Sequence, residues 1–270
     1  MNIGRLLVAA IAALLLFGRG LPAAHAHTLQ EILDRQAFTI CADPDALPFS
    51  SRAGSPPGFQ IDLARTIAER LKVRLDVDWV VFRRSARKVD CDAIMSSVAR
   101  GGAAEENELA EKTVPQASSR PYARQITRLV LRDGAPPIAS LAEMKQIVVA
   151  VPPASYLHYL LDTHGIPVRT RYMTADDILD AVAKGEVAGG IVSDWDLDWY
   201  RKTHPDARIS ADNGLVLDPD LDYDVAVTLR KTDRALVEAV NGILAAMMAD
   251  GGMAAMFAKY GIAYRPPAVR

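Results

Sequence analysis

The chain has 270 residues, half of them hydrophobic, with 31 Lys+Arg against 33 Asp+Glu and a formal net charge of −2. That length buries a good core as one large domain or two lobes, and the slightly acidic balance argues against nucleic acid or an acidic membrane surface as partner. Two cysteines, with no HExxH, no GxSxG and no CxxC, exclude a cysteine-rich framework and the common hydrolase and metalloprotease motifs.

Arg5, the uncharged run 6–17 and Ala24-His25-Ala26 have the form of a secretory signal cleaved after Ala26. The apolar run is about a dozen residues, against roughly 20 needed to span a bilayer. Arg19 also interrupts it, and no later stretch is apolar enough to insert in a membrane. Cleavage leaves 244 residues with 29 basic and 33 acidic side chains, in an oxidising periplasm. One bond between Cys41 and Cys91 is then expected, rather than two buried thiols. Thr39-Ile40-Cys41 ends one strand and Cys91 opens another, so neighbouring strands give the right distance.

In chain order, residues 38–42 read as a short apolar strand running into the proline-rich loop 43–49. Residues 59–72 carry Phe59, Ile61, Leu63, Ala64, Ile67, Ala68 and Leu71 on one helical face. Strands are expected at 75–82 and 93–96, a polar helix and loop over 100–112, and one extended segment over 125–132. Asp133-Gly134-Ala135-Pro136-Pro137 is a breaker cluster. The pattern then restarts: strand 147–151, helix 154–163 stopped by Gly165, strand 168–172. Thr174 caps a helix over 175–184 with Asp176 and Asp177 at its positive end, and Gly185 closes it. Strand 187–193 leads into Asp194-Trp195-Asp196. Residues 223–229 are extended again, and 232–260 are helical with a break at Gly251-Gly252.

Alternating β and α elements imply an α/β fold of parallel sheets with covering helices. Two such sets with a breaker between them imply two lobes. Residues 27–132 plus 222–270 are assigned to lobe 1 and 133–221 to lobe 2, with the C-terminal helices returning to lobe 1. Ligands bind beyond the carboxyl ends of parallel strands and at domain interfaces, so a central cleft is the expected site.

Three segments carry a resemblance. Gly58-Phe59-Gln60-Ile61-Asp62-Leu63, the 184–194 stretch KGEVAGGIVSD and Phe257-Ala258-Lys259-Tyr260-Gly261-Ile262 resemble the family 3 extracellular solute-binding proteins, partners of polar amino-acid ABC transporters. A narrower likeness lies in Cys41-Ala42-Asp43-Pro44-Asp45-Ala46-Leu47-Pro48-Phe49-Ser50, Asp90-Cys91-Asp92-Ala93-Ile94-Met95 and Pro152-Pro153-Ala154. These resemble the quinoprotein-dehydrogenase-associated binding proteins of methanol-oxidation clusters, the MxaJ/XoxJ type, to which paired cysteines belong. The resemblance implies a two-lobed periplasmic-binding-protein-like (type II) fold. It implies one of two partners: a periplasmic quinoprotein dehydrogenase with its c-type cytochrome, or an ABC permease. No cofactor or metal is expected. Cyclohexadienyl dehydratases share the scaffold, so a cleft enzyme is the third alternative.

An amino-acid receptor needs a guanidinium for the α-carboxylate and a carboxylate for the α-ammonium. By the resemblance, Arg100 after the Ser96-Ser97 strand end and Asp194 after the 187–193 strand fill these places. The alternatives are a solvated loop arginine and a helix N-cap. Asp43, Phe49 and Phe59 are placed at the cleft mouth, with core packing the competing reading for Phe59. Ser155 is the remaining side-chain donor in a turn whose Pro152 and Pro153 remove two backbone donors. Trp195 and Trp199, with Asp196 and Asp198 interleaved, are either an exposed aromatic and acidic patch or one helical turn with a buried side. His158 and His164 are six apart, not the i, i+4 of a helical metal pair.

Overall fold

Short β-branched runs separated by amphipathic helices build two sheets in this computed structural model, which describes residues 28–81, 90–99, 116–212, 215, 217–230 and 232–268. Helix α1 (Leu29–Asp34) opens behind a capping box between Thr28 and Glu31. Strand β1 (Ala37–Ala42), the small hairpin of β2 (Asp45–Ala46) and β3 (Ser50–Ser51), helix α2 (Phe59–Leu71) and strand β4 (Arg74–Trp79) follow. Next come β5 (Ala93–Val98), β6 (Gln116–Ser118), β7 (Ala123–Gln125) and β8 (Thr127–Arg132). The middle of the chain forms α3 (Leu141–Met144), β9 (Val149–Ala150), α4 (Tyr156–Thr163), β10 (Val168–Arg169), α5 (Ala175–Lys184), β11 (Gly189–Ser193), α6 (Asp194–Thr203) and β12 (Ile209–Asp212). Strand β13 (Tyr223–Arg230) and helices α7 (Arg234–Ala249) and α8 (Gly252–Lys259) complete it.

The first sheet runs β4-β1-β5-β13-β6, with β7 also paired to β13. Strands β4, β1 and β5 are parallel and β13 is antiparallel to them. The second sheet runs β10-β9-β11-β8-β12. The fold is thus the mixed α/β, two-lobed arrangement expected. Helix α2 buries Phe59, Leu63, Ala64 and Ile67 against the first sheet, and α7 and α8 return to that core with Leu236, Leu244, Met253 and Phe257. Helix α5 packs Ile178, Leu179 and Val182 on the second sheet. Its Thr174–Asp177 capping box and the left-handed Gly185 C-cap (φ 75°) are the signals its sequence carried.

Several expectations need correction. The 125–132 stretch is not one strand: β7 pairs with β13 in the first sheet and β8 with β11 and β12 in the second, with Ile126 between them. The chain therefore enters the second sheet at Thr127, not after Arg132. The 133–137 cluster is a turn leaving β8, since a hydrophobic run looks the same whichever sheet takes it. The break expected at Gly251-Gly252 is present, and α7 and α8 meet there at 78°. Helices α1 and α3 and strand β12 were not among the expected elements, and α6 was expected only as a helical turn from Trp195. No single described helix is long and apolar enough to cross a membrane. The leader at 1–26, the 100–112 stretch and Arg100 lie outside the described residues.

Candidate functional site

The first lobe's site is built on Gly58. Its φ of 97° is open to glycine, and a Cβ there would meet Phe49 O at 2.3 Å. That close approach lets the 43–51 loop lie across the start of α2. Phe59 N donates to Pro48 O at 2.9 Å and Gln60 N to Phe49 O at 3.0 Å. The loop's other end is fixed by Ser51 N to Pro57 O (2.7 Å) and Arg52 N to Pro44 O (2.8 Å). The apolar and polar residues of the Gly-Phe-Gln motif thereby take opposite jobs: Phe59 enters the core and Gln60 faces the cleft.

A cavity of about 500 Å³ opens beside this junction, lined by Asp43, Ala46, Phe49, Ser50, Gln60, Ile94, Ser96 and Ser97. It sits where β1 and β5 end, the position that parallel strands offer to ligands. Asp43 is held by an Asx-type turn, its Oδ1 accepting from Asp45 N at 2.9 Å, while Ser50 Oγ donates to Asp43 O at 2.8 Å. Thr228 Oγ1 donates to Ser97 Oγ at 2.6 Å, which leaves the Ser97 hydroxyl proton directed elsewhere. Gln60 is 9% exposed. Its side-chain amide makes no hydrogen bond among the described residues and faces the cavity.

The disulfide braces this floor. Cys41 and Cys91 are bonded, with Cα atoms 5.5 Å apart. Cys41 lies opposite the cavity residue Ile94 in the β1–β5 register. Both cysteines are buried with Val80, and Ile94 packs against them.

Asp43, Phe49, Ser96 and Ser97 thus come together, and of the other assigned residues that are described, Phe59, Ser155, Asp194 and Trp195 do not line this cavity. Phe59 is fully buried, its ring 4.8 Å from Phe257 and 5.2 Å from Trp195. Trp195 is fully buried as well and Trp199 is 8% exposed, so no exposed aromatic patch exists there. They are one side of α6 packed on the first lobe's core. Asp194 turns to the hinge instead of the cavity: its Oδ1 accepts from Ile126 N and its Oδ2 from Arg265 Nε, each at 3.0 Å. Ser155 caps α4, accepting from His158 N and donating to Pro152 O. Gln60 and Ser50 were missed. The available signal for Gln60 was a polar residue between Phe59 and Ile61 in an otherwise apolar helix start.

The second lobe brings carboxylates toward this region. Ser193, rather than Asp194, is the N-cap of α6, and its Oγ donates to Asp196 Oδ2 at 2.5 Å. Burial pushes the Asp196 carboxyl up to about 6, with Ser193 opposing and Asp176 and Asp194 adding to the rise. Burial also raises Asp176, where His204 opposes and Asp180, Asp177 and Asp45 add. Asp45 belongs to the first lobe, so the acidic edges of the two lobes feel each other. Among the described residues no three His, Cys, Asp or Glu side chains form a metal-holding group.

The raised Asp196 predicts a pH effect. A carboxyl whose folded pKa exceeds its unfolded value stabilises the fold while protonated. That contribution is complete below about 4 and is lost as pH rises through about 6. Asp196→Asn should therefore raise the melting temperature at pH 7.5 and leave it nearly unchanged at pH 4. An equal gain at both pH values would show that Asp196 is not the titrating group.

Comparison with known proteins completes the picture. Residues 38–263 match the family described as bacterial extracellular solute-binding proteins, family 3. No curated protein sequence matches the chain. Among solved structures, an ancestral cationic amino-acid solute-binding protein (AncCDT-1) is 20% identical with a TM-score of 0.69, covering 86% of this chain and 98% of that one. The L-cystine solute receptor of Neisseria gonorrhoeae, unliganded and open, is 16% identical with a TM-score of 0.64, covering 90% and 99%. An amino acid ABC transporter substrate-binding protein from Streptococcus pneumoniae, bound to L-arginine, is 18% identical with a TM-score of 0.63, covering 86% and 97%. At these identities the likeness speaks for the fold, while the match over 38–263 speaks for descent: the chain belongs to family 3 of the bacterial extracellular solute-binding proteins.

Proposed function

We propose that this protein is exported to the periplasm and delivers an amino acid or a similar small polar solute to an ABC permease. The observation that carries this reading is the cavity beside Gly58, where the Gln60 amide, which makes no hydrogen bond among the described residues, a carboxylate and two strand-end hydroxyls face one space. Such a set suits a ligand that brings its own donors and acceptors, because a hydrogen bond to a charged group contributes about 1.5–3 kcal/mol. The carboxylate of Asp43 in the cavity wall favours a solute with a positive end. Of the similar structures named above, the cationic amino-acid solute-binding protein and the substrate-binding protein bound to L-arginine agree with that preference.

The test is a melting-temperature screen of the mature protein against amino acids and small amines. At a hundredfold excess over Kd a ligand adds about 2.7 kcal/mol, or roughly 5–10 °C for a chain of this size. Asp43→Asn should weaken the best hit at least about tenfold, the loss of one hydrogen bond to a charged group. A flat response across the panel would sink the transport reading.

A second reading has its own support. The turn before α4 supplies few donors, since Pro152 and Pro153 have no N–H and Ser155 is engaged as a cap. With the disulfide beside the cleft, this fits an accessory protein of a periplasmic quinoprotein dehydrogenase, as in the methanol-oxidation subgroup. Co-purification with a quinoprotein and its c-type cytochrome, together with a flat solute screen, is the result that reading expects.

A further inference from the structure

We propose that a second cavity, lined by none of the residues of the Asp43 site, binds a small oxyanion such as a phosphate or a compact polycarboxylate. It has a volume of about 310 Å³ and is lined by Arg128, Arg201 and Arg265 together with Asp194, Asp198 and Ser210. None of these residues lines the Asp43 cavity, so the two sites are physically distinct.

The sequence places these groups through ordinary helix and strand geometry. Asp194, Asp198 and Arg201 lie at i, i+4 and i+7 of α6 and so share one face. Arg128 stands on β8 and Ser210 on β12, neighbouring strands of the second sheet. Arg265 comes from the tail after α8, which is fastened to the first lobe by Arg124 N to Arg265 O and by Tyr264 Oη to Tyr122 O, both 2.9 Å. The cavity is therefore walled by both lobes.

Its charge balance favours an anion. The two carboxylates are already occupied. Asp194 takes Ile126 N and Arg265 Nε, and Asp198 Oδ2 takes Ala263 N at 3.0 Å. The guanidiniums are not. Each carries five N–H donors. Arg265 uses Nε on Asp194, Arg201 uses Nη2 on Ile209 O at 3.1 Å, and Arg128, half-buried, makes no hydrogen bond or ion pair among the described residues. Three guanidiniums against two carboxylates leave a net positive pocket, with forked donors whose spacing matches carboxylate and phosphate oxygens. An anion held between Arg265 on one lobe and Arg128 or Arg201 on the other ties the lobes together. By linkage it then changes the affinity of the cleft for its solute, and the solute changes the affinity for the anion by the same factor.

Arg128 gives a clean test because no partner in the protein is lost with it. Melting temperature is followed against inorganic phosphate and, separately, citrate, with sodium chloride at matched ionic strength to account for screening. A saturable rise of about 3–5 °C at tenfold excess over Kd is expected with one or both anions and not with chloride. In Arg128→Gln the apparent affinity should fall at least tenfold, while the anion-free melting temperature and circular dichroism stay as in the parent. Arg128→Lys, which keeps the charge without the fork, should fall between them. A response equal to that of chloride, or one unchanged in Arg128→Gln, overturns the proposal. Phosphate alone giving the shift identifies a phosphate site, and citrate alone a carboxylate site.

Discussion

Replacing Cys41 and Cys91 together by serine should lower the unfolding free energy by about 4 kcal/mol and the melting temperature by roughly 8–16 °C. The figure comes from the closed loop: the cysteines are 50 residues apart, and tying such a loop removes about 14 cal/mol/K from the unfolded chain. Both sulfurs are buried, so serine also places two hydroxyls in an apolar cluster with Val80. Dithiothreitol should shift the parent protein toward the variant and leave the variant where it is. The cleft should respond too, because Cys41 lies opposite Ile94, a residue of the cavity wall. If the double variant melts within about 2 °C of the parent, the bond is not a stability element.

Where strands and helices carry one dominant period, the sequence was readable. Helix α5 has an N-cap threonine, acids in its first turn, an apolar face and a C-terminal glycine, and every one of those features acts locally. The pairing of Cys41 with Cys91 followed from compartment and strand ends. What could not be read was the partner of an apolar run. Residues 125–132 read as one extended segment, and only tertiary pairing ends β7 at Gln125 in one sheet and starts β8 at Thr127 in the other. The same limit applies to the site. Asp43, Phe49, Ser96 and Ser97 flank strand ends, and strand ends in an α/β fold point to a cleft whatever the details. Asp194 also follows a strand, yet its carboxylate is claimed by Ile126 N and Arg265, partners 68 and 71 residues away. Position along the chain locates a side chain near a cleft, but not which of its neighbours will take its hydrogen bonds.

Trp195 shows how the two lobes are joined, and it sets the second large effect. By sequence it belongs to the second lobe, at the start of α6 directly after β11. Its indole nevertheless packs in the first lobe's core, 5.2 Å from both Phe59 and Phe257 and 6.1 Å from Phe49. Phe49 lines the cleft cavity, so the anchor that joins the lobes touches the wall of the site. Trp195→Ala should cost about 3–5 kcal/mol, the usual loss for a large aromatic removed from a core. Helix α6 should then detach from the first lobe, and protection of the α6 amides in hydrogen exchange should fall more than that of α5. The indole N–H adds a second handle, since Nε1 is buried without a hydrogen-bond partner among the described residues. Such an orphan donor costs about 1–3 kcal/mol. Trp195→Phe keeps an aromatic ring in the cluster and removes that donor, so the two changes offset and urea denaturation should place this variant within about 1 kcal/mol of the parent. If phenylalanine proves as damaging as alanine, the full volume of the indole is what holds the lobes together, and the unpaired N–H contributes little to the balance.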